Sequence, residues 1–113
     1  MRLEKMIKNI KNVNGYAGSS ILNNEGEILY IDESRSIDIA FASSLFNDTF
    51  RALKSASVDV GFSRLIRLEG ETKEGMIFLI YSNSRHTIFS VFNPECNISL
   101  AKIMLIQSLK RDA

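Results

Sequence analysis

The sequence contains no tryptophan, one proline, one cysteine and one histidine. A single cysteine, Cys96, cannot form a disulfide within the chain, which fits a reducing compartment. A zinc site made of histidine and cysteine ligands is excluded by count, because His86 is the only histidine. His86 is predicted to be an exposed residue of a hairpin. We therefore predict no metal site, no cofactor and no catalytic residue in this chain.

Net charge and long apolar runs are lacking as well. The chain has 14 Lys and Arg against 13 Asp and Glu, so no net field attracts nucleic acid or an anionic membrane. No apolar run approaches the roughly 18 residues of a membrane span. The first eight residues mix charged with apolar side chains, unlike the apolar core of a secretory signal. We expect a cytoplasmic protein with no nucleic-acid partner and no insertion into a membrane.

Composition predicts one globular domain over residues 1–113. Hydrophobic residues make up 45% and charged residues 24% of the chain, close to the average for such domains. A chain of 113 residues can bury one core but is too short for two. Disorder is therefore not expected.

The segment Ser36–Ser57 contains no glycine or proline and is predicted to form one long helix. Ser34 or Ser36 can cap its N-terminus, and Lys54 lies in its predicted last turn. At about 100° per residue its apolar side chains fill an arc of roughly 180°, whereas a surface helix needs only about 100° to cover one sheet. These apolar residues are Ile39, Phe41, Ala42, Leu45, Phe46, Phe50, Ala52, Leu53 and Ala56.

The excess of apolar surface on this helix predicts a contact beyond the helix's own sheet. A monomer rarely leaves a patch of that size exposed. We therefore predict a homodimer, with the interface residues Phe41, Leu45, Ala52, Ala56 and Leu65. The polar side of the helix is free of both contacts and is a candidate for binding another protein, with an ordinary solvated face as the alternative. The candidates on this side are Ser44, Asn47, Asp48, Arg51 and Ser55.

The remaining segments show strand and helix patterns. Met76–Tyr81 is continuously apolar, which is typical of a central strand covered on both faces. Asn97 can cap a terminal helix whose last turn contains Lys110 and Arg111. Asn23-Asn24-Glu25-Gly26 predicts a hairpin turn. The other predicted elements are a short helix around Leu3–Ile10 and the strands Tyr16–Leu22, Ile28–Ile31, Phe62–Glu69 and Arg85–Phe92.

These elements predict an α+β domain with the order α-β-β-α-β-β-β-α. Because the central strand needs cover on both faces, we expect a three-layer α/β/α sandwich around a five-stranded antiparallel sheet. The polar loop Gly70–Gly75 is interpreted as a hairpin tip rather than a phosphate-binding loop, since no GKS or GKT element and no helix follow it. Glu69, Glu71 and Glu74 around this tip are interpreted as solvated carboxylates rather than a metal site or an acid–base pair.

Three short motifs resemble those of a known family. Val13–Leu22 resembles the family's V-x-G-V-x-G entry to the first strand, and Glu25–Leu29 resembles its D/E-G-x-x-L hairpin. Asn97–Ala101 resembles the N-L-G-L-A opening of the last helix in prokaryotic members. Tyr16 stands where Val or Ile is commoner, and Ser99 where Gly is common. The chain thus resembles the roadblock family, which includes dynein's roadblock light chains and MglB-type bacterial regulators of small Ras-like GTPases.

The resemblance implies a domain that dimerises through its long helix and the following strand, so that two sheets join into one. Because the terminal helix is absent or reduced in many dynein light chains, the MglB-like prokaryotic subgroup is the closer match. The implied function is a non-catalytic regulator or scaffold that binds a small Ras-like GTPase. The alternatives are a structural adaptor unrelated to a GTPase, and a small-ligand sensor or enzyme, which would need a sizeable apolar cavity.

Overall fold

The computed structural model describes residues 2–34 and 36–113, which form one sheet between two layers of helices. The elements are α1 (Arg2–Ile7), a 3₁₀ helix (Ile10–Asn12), β1 (Tyr16–Leu22), β2 (Ile28–Asp32), α2 (Ile39–Asp59), β3 (Arg67–Glu71), β4 (Ile77–Ser82), β5 (Thr87–Phe92) and α3 (Ile98–Asp112). All strand pairs are antiparallel, and the order in the sheet is β2-β1-β5-β4-β3. The predicted α+β class, the three layers and the order of helices and strands are confirmed, with the 3₁₀ helix as an addition.

The strand β5 is buried on both of its faces. Ile88 and Phe92 face α1 and α3, whereas Phe89 and Val91 face α2. Side chains alternate between the two faces of a strand, so such a strand needs an apolar layer on each side. The neighbouring strand β4 has the same character, as the apolar run Met76–Tyr81 predicted.

Small residues in β1 let α2 approach the sheet closely. The hydroxyl groups of Ser20 and Ser43 hydrogen-bond at 2.5 Å, and both side chains are fully buried. At Gly18 a Cβ atom would lie 2.7 Å from the Cδ1 atom of Ile39, so a larger residue would push the helix outward. Glycine and serine therefore set the distance between α2 and β1.

The long helix α2 begins and ends later than predicted. It starts at Ile39 and continues to Asp59. Its N-cap is Asp38, whose carboxylate accepts a hydrogen bond at 3.1 Å from the backbone N–H three residues further on. The prediction of Ser34 or Ser36 as the cap was wrong.

Because α2 is extended at its C-terminus, Lys54 does not lie in the last turn as predicted. Its ammonium nitrogen lies 4.5 Å from the centre of the Phe50 ring, which is a favourable cation–π arrangement. Partial burial, followed by the charges of Arg64 and Arg51, lowers the pKa of Lys54 below its ordinary value. Lys54 therefore helps to cover the buried Phe50 ring.

The strand β3 is shorter than predicted and shifted along the chain. It covers Arg67–Glu71 rather than Phe62–Glu69, and residues 62–66 have no regular structure. Leu65 and Leu68 both pack on the α2 side of the sheet, so the expected alternation is broken between them. The physical reason is that β3 is an edge strand, and its pairing with β4 stops where Arg67 meets Tyr81.

The turn between β4 and β5 corrects two predictions. β5 begins at Thr87 rather than Arg85, because the side-chain oxygen of Asn83 accepts the backbone N–H groups of Arg85 and His86 at 2.8 Å each. His86 is not exposed as predicted. Only 8% of its surface is accessible, and its Nδ1 atom lies 2.6 Å from a carboxylate oxygen of Asp112.

The buried carboxylate of Asp112 joins three parts of the chain. It also accepts hydrogen bonds from Asn83 at 3.0 Å and from Arg2 at 2.6 Å. Burial alone would raise the pKa of Asp112, but the hydrogen bonds from His86 and Asn83 and the charges of His86 and Arg2 outweigh it, so this pKa lies below its ordinary value. The end of α3 is thereby fastened to α1 and to the β4–β5 turn.

We expect Asp112→Asn to lower the free energy of unfolding by roughly 2 kcal/mol at neutral pH, because a charged acceptor of several hydrogen bonds is lost. The pKa of Asp112 is lower in the folded state than its ordinary value. The stabilisation of the folded state by the ionised carboxylate is therefore present above the ordinary carboxyl range and is lost as the pH falls through the folded pKa. Urea unfolding of parent and variant between about pH 7 and about pH 3 checks this. The two stabilities should converge toward acid pH, and a constant difference would contradict the role of Asp112.

Candidate protein-interaction surface

One side of α2 carries apolar residues that face away from the protein's own core. Phe41 is 63% exposed and Leu45 is 51% exposed, and Ala52 and Ala56 are exposed on the same side. At about 100° per residue these four positions share an arc of roughly 60°. We call them the apolar band of α2. Leu65, the fifth predicted interface residue, is partly buried against the α2 side of the core.

The exposed apolar surface of α2 extends from the band toward one flank of the helix through Leu53, which is 40% exposed. Phe46, on that flank, packs against Phe78 of β4 and Phe89 of β5, with ring centres 4.4 and 5.6 Å apart. Arg51, on the opposite flank, donates a hydrogen bond at 3.3 Å to the Glu25 carbonyl in the turn between β1 and β2. In the sheet β4 is next to β3, and β1 is next to β2. The exposed apolar surface of α2 therefore extends toward the half of the sheet that contains β4 and β3, while the polar side of the helix lies toward β2.

Apolar surface continues beyond the end of the sheet. No residue from Arg51 to Arg64 is buried. In this stretch Val58, Val60 and Phe62 are 55, 66 and 72% exposed. Sequence reasoning placed Phe62 in the strand after the helix, which it assigned to the dimer interface, but it did not name Val58 or Val60. Their apolar character at every second position was the available signal.

The strand β3 offers a free edge beside this surface. It pairs with β4 on one side, and within residues 2–34 and 36–113 no strand pairs with its other side. Backbone N–H and C=O groups along such an edge can pair with another strand, so native proteins usually cover or charge their edges. An unpaired edge and the exposed apolar surface of α2 thus lie in the same half of the molecule.

The polar side of α2 presents four of its five predicted residues to solvent. These four are Ser44, Asp48, Arg51 and Ser55. Asn47 is 6% exposed, and its side-chain nitrogen lies 3.2 Å from the position that a Cβ atom on Gly26 would take. Asn47 therefore fills the space over the β1–β2 turn and does not belong to the exposed face. A helical projection does not show which flank of a helix a neighbouring turn covers.

No metal-binding cluster accompanies this surface in the part of the chain that the structure describes. No group of three or more His, Cys, Asp and Glu residues is placed there to hold a metal ion. Among the same residues, no helix is both long and apolar enough to cross a membrane. Cys96 is partly buried against the α1/α3 side of the core, and burial raises the pKa of its thiol. The surface can therefore contact a partner through apolar side chains and through hydrogen-bonding groups.

Known proteins match this chain in structure. No family model matches the sequence, and no curated protein matches it. Myxococcus xanthus MglB superposes with a TM-score of 0.82 at 11% sequence identity, over 96% of this chain and 83% of that one. The Roadblock/LC7 domain from Streptomyces avermitilis gives 0.78 at 10% identity, over 97% and 90%. Profilin II from Acanthamoeba castellanii gives 0.61 at 12% identity, over 96% and 91%.

Identities this low show a shared fold and nothing finer. The likeness extends to a profilin, so the architecture alone does not determine function. MglB and the Roadblock/LC7 domain have the higher TM-scores of the three, and each superposition includes at least 96% of this chain. The resemblance seen in the sequence motifs is therefore confirmed at the level of structure: this chain has the MglB-like roadblock fold.

Proposed function

We propose that this chain forms a homodimer and acts as a non-catalytic regulator or scaffold that binds a small Ras-like GTPase. The observation that carries the proposal is the exposed apolar surface of α2 together with the free edge of β3 in the same half of the molecule. These two features favour binding of a second folded chain over catalysis by this chain. A cytoplasmic location accords with such a partner.

A two-fold dimer accounts for the exposed apolar surface. Covering a side chain such as Phe41, Leu45 or Phe62 stabilises an assembly by about 1.5–3 kcal/mol when the side chain becomes fully buried. A two-fold axis uses the same patch on both chains, so each contribution occurs twice. Pairing of β3 with β3 of the second chain would join the two sheets and satisfy both free edges.

The GTPase partner is supported by the sequence motifs and by the fold. Val13–Leu22 resembles a motif of the roadblock family, Asn97–Ala101 resembles a motif of its prokaryotic members, and MglB shares the fold over nearly the whole chain. The terminal helix α3 has 15 residues, as the resemblance to that subgroup implies. A structural adaptor is the second candidate, because the likeness to profilin shows that this fold is not confined to one family.

We place the partner surface on the polar side of α2, at the exposed residues Ser44, Asp48, Arg51 and Ser55. Neither the sheet nor the apolar band uses this side, and dimerisation would set two copies into one composite surface. Arg51 is not proposed as an arginine finger, because that role requires contact with transition-state charge. On this proposal Arg51, whose guanidinium group is bonded to the Glu25 carbonyl, contributes to binding of the partner rather than to catalysis.

We expect Leu45→Asp to convert the dimer into a monomer, because an unpaired carboxylate in an apolar interface costs several kcal/mol. Light scattering after size-exclusion chromatography at micromolar concentration measures this. Leu29→Asp is the matched control, since Leu29 is 42% exposed but lies on β2 at the opposite edge of the sheet. A monomeric parent protein would refute the dimer, and a dimeric Leu45→Asp variant would show that the interface lies elsewhere.

An exchange of charges on the polar side, Asp48→Lys with Arg51→Glu, should weaken binding of the cognate GTPase about tenfold or more and leave the dimer intact. The net charge is unchanged, so long-range attraction stays the same. Lys73→Glu with Glu74→Lys, at the tip between β3 and β4, is an equally neutral control that should bind like the parent.

Titration calorimetry with a Ras-like GTPase encoded beside this chain is the measurement for this exchange. Equal affinities of the parent and both variants would exclude the polar side of α2 as the partner surface. An absence of binding by the parent itself would favour the structural adaptor.

A further inference from the structure

The charges of this chain are unevenly distributed, although its net charge is only +1. Residues 2–13 and 97–113, which contain α1, the 3₁₀ helix and α3, hold seven of the 14 Lys and Arg but only two of the 13 Asp and Glu. Of these two acidic residues, Asp112 is buried and bonded to Arg2 and His86, whereas Glu4 is exposed. The α1/α3 side of the molecule is therefore basic, and the remainder of the chain is acidic.

Basic residues line a groove where α1 packs on α3. Two neighbouring depressions, of about 280 and about 400 Å³, lie along α1, and both include Lys5 in their lining. The first depression lies between α1 and α3, and the second continues toward the 3₁₀ helix. The basic residues along the two are Arg2, Lys5, Lys8, Lys11 and Arg111, and the acidic residues are the exposed Glu4 in the second depression and the paired Asp112 in the first.

Two of these five cations are already paired. Arg2 lies 2.6 Å from Asp112, and Lys11 lies 3.3 Å from Asp32. The other three form no ion pair with the residues that the structure describes. These three are Lys5, Lys8 and Arg111.

An apolar stretch of α3 lies beside the basic groove. A further depression of about 330 Å³ separates the 3₁₀ helix from Leu100 and Met104. Leu100 is 36% exposed there, and the side chains of Asn9, Asn12 and Gln107 complete the lining. Amide side chains can donate and accept hydrogen bonds, so this end of the groove suits a polypeptide that carries both backbone and apolar groups.

We propose that the groove between α1 and α3 is a docking site for an acidic segment of a partner protein. Carboxylates of the segment bind Lys5, Lys8 and Arg111, and its apolar side chains pack on Leu100 and Met104. The groove lies on the opposite face of the sheet from α2. The inference is therefore independent of the GTPase partner and of the dimer.

An acidic polypeptide fits this groove better than a membrane or a nucleic acid does. Proteins that lie on anionic membranes commonly bury aromatic side chains at the interface, and single-stranded nucleic acids stack their bases on aromatic rings. Neither residues 2–13 nor residues 97–113 contain an aromatic side chain. The apolar groups at Leu100 and Met104 also lie in a depression rather than on a protruding surface.

Fluorescence anisotropy with a labelled helical peptide tests the docking site. The probe has about 16 residues of Glu, Ala and Leu, with Leu at every third or fourth position so that it has one apolar side. Lys5→Glu with Lys8→Glu should weaken its binding at least about tenfold. Binding by the parent protein should also weaken when the salt concentration rises from about 50 to about 300 mM, since the charges lie at the surface.

Matched variants separate the groove from general effects of charge and apolar area. Lys73→Glu with Arg64→Glu changes the net charge by the same amount away from the α1/α3 side and should keep the parent affinity. Leu100→Ser should weaken binding about threefold or more, whereas Leu53→Ser, at a similarly exposed position on α2 on the opposite face of the sheet, should not. Circular dichroism of each variant confirms that the fold is intact.

Equal losses in the two charge-reversal pairs would mean that net charge alone governs binding, and this would overturn the docking site. Failure of the parent to bind the peptide would overturn it as well. Binding of the parent to vesicles that contain phosphatidylserine, without binding to the peptide, would show that the groove binds an anionic membrane and would overturn the proposed protein segment. Assembly of the parent beyond a dimer, abolished by Lys5→Glu with Lys8→Glu, would instead identify the occupant as the acidic part of another copy.

Discussion

The fold depends on the burial of its central strands on both faces. In β5 the adjacent side chains of Ile88 and Phe89 point to opposite helical layers, and both are almost completely buried. Neither layer can be removed without exposing half of each central strand, at a cost of about 25 cal/mol for every Å² of apolar surface. The order β2-β1-β5-β4-β3 keeps these strands in the middle of the sheet. A single long helix, α2, therefore has to cover one entire face.

The length of α2 accounts for the exposed apolar surface beyond Phe50. The helix has 21 residues, or about 31 Å at 1.5 Å per residue, whereas β4 has 6 residues, or about 20 Å at 3.3 Å per residue. Phe50 is buried, but beyond it the helix has no core beneath it, and Val58, Val60 and Phe62 are exposed. In the proposed dimer, one side of α2 packs on the core of its own chain. The exposed apolar surface of α2 packs on the second copy, and the edges of the two β3 strands pair.

Features that depend on local pattern were predictable from the sequence. The run Met76–Tyr81 predicted β4 to within one residue, because a continuous apolar pattern is a local signal. Features that depend on distant partners were not: the contact that buries His86 comes from Asp112, 26 residues further on.

The candidate site follows the same rule. The width of the apolar arc was visible, but the length of the helix relative to the sheet and the turn beside Asn47 were not, so Val58 and Val60 were missed and Asn47 was misplaced.

Hydrogen exchange of the backbone amides in β3 and residues 60–66 tests the dimer most directly. If β3 pairs with a second copy, these amides exchange slowly at high protein concentration and faster on dilution below the dissociation constant of the dimer. The strand β5 is paired on both sides within one chain, so its protection should not depend on concentration. Fast exchange in β3 at every concentration would show that its edge is open to water and would contradict the dimer.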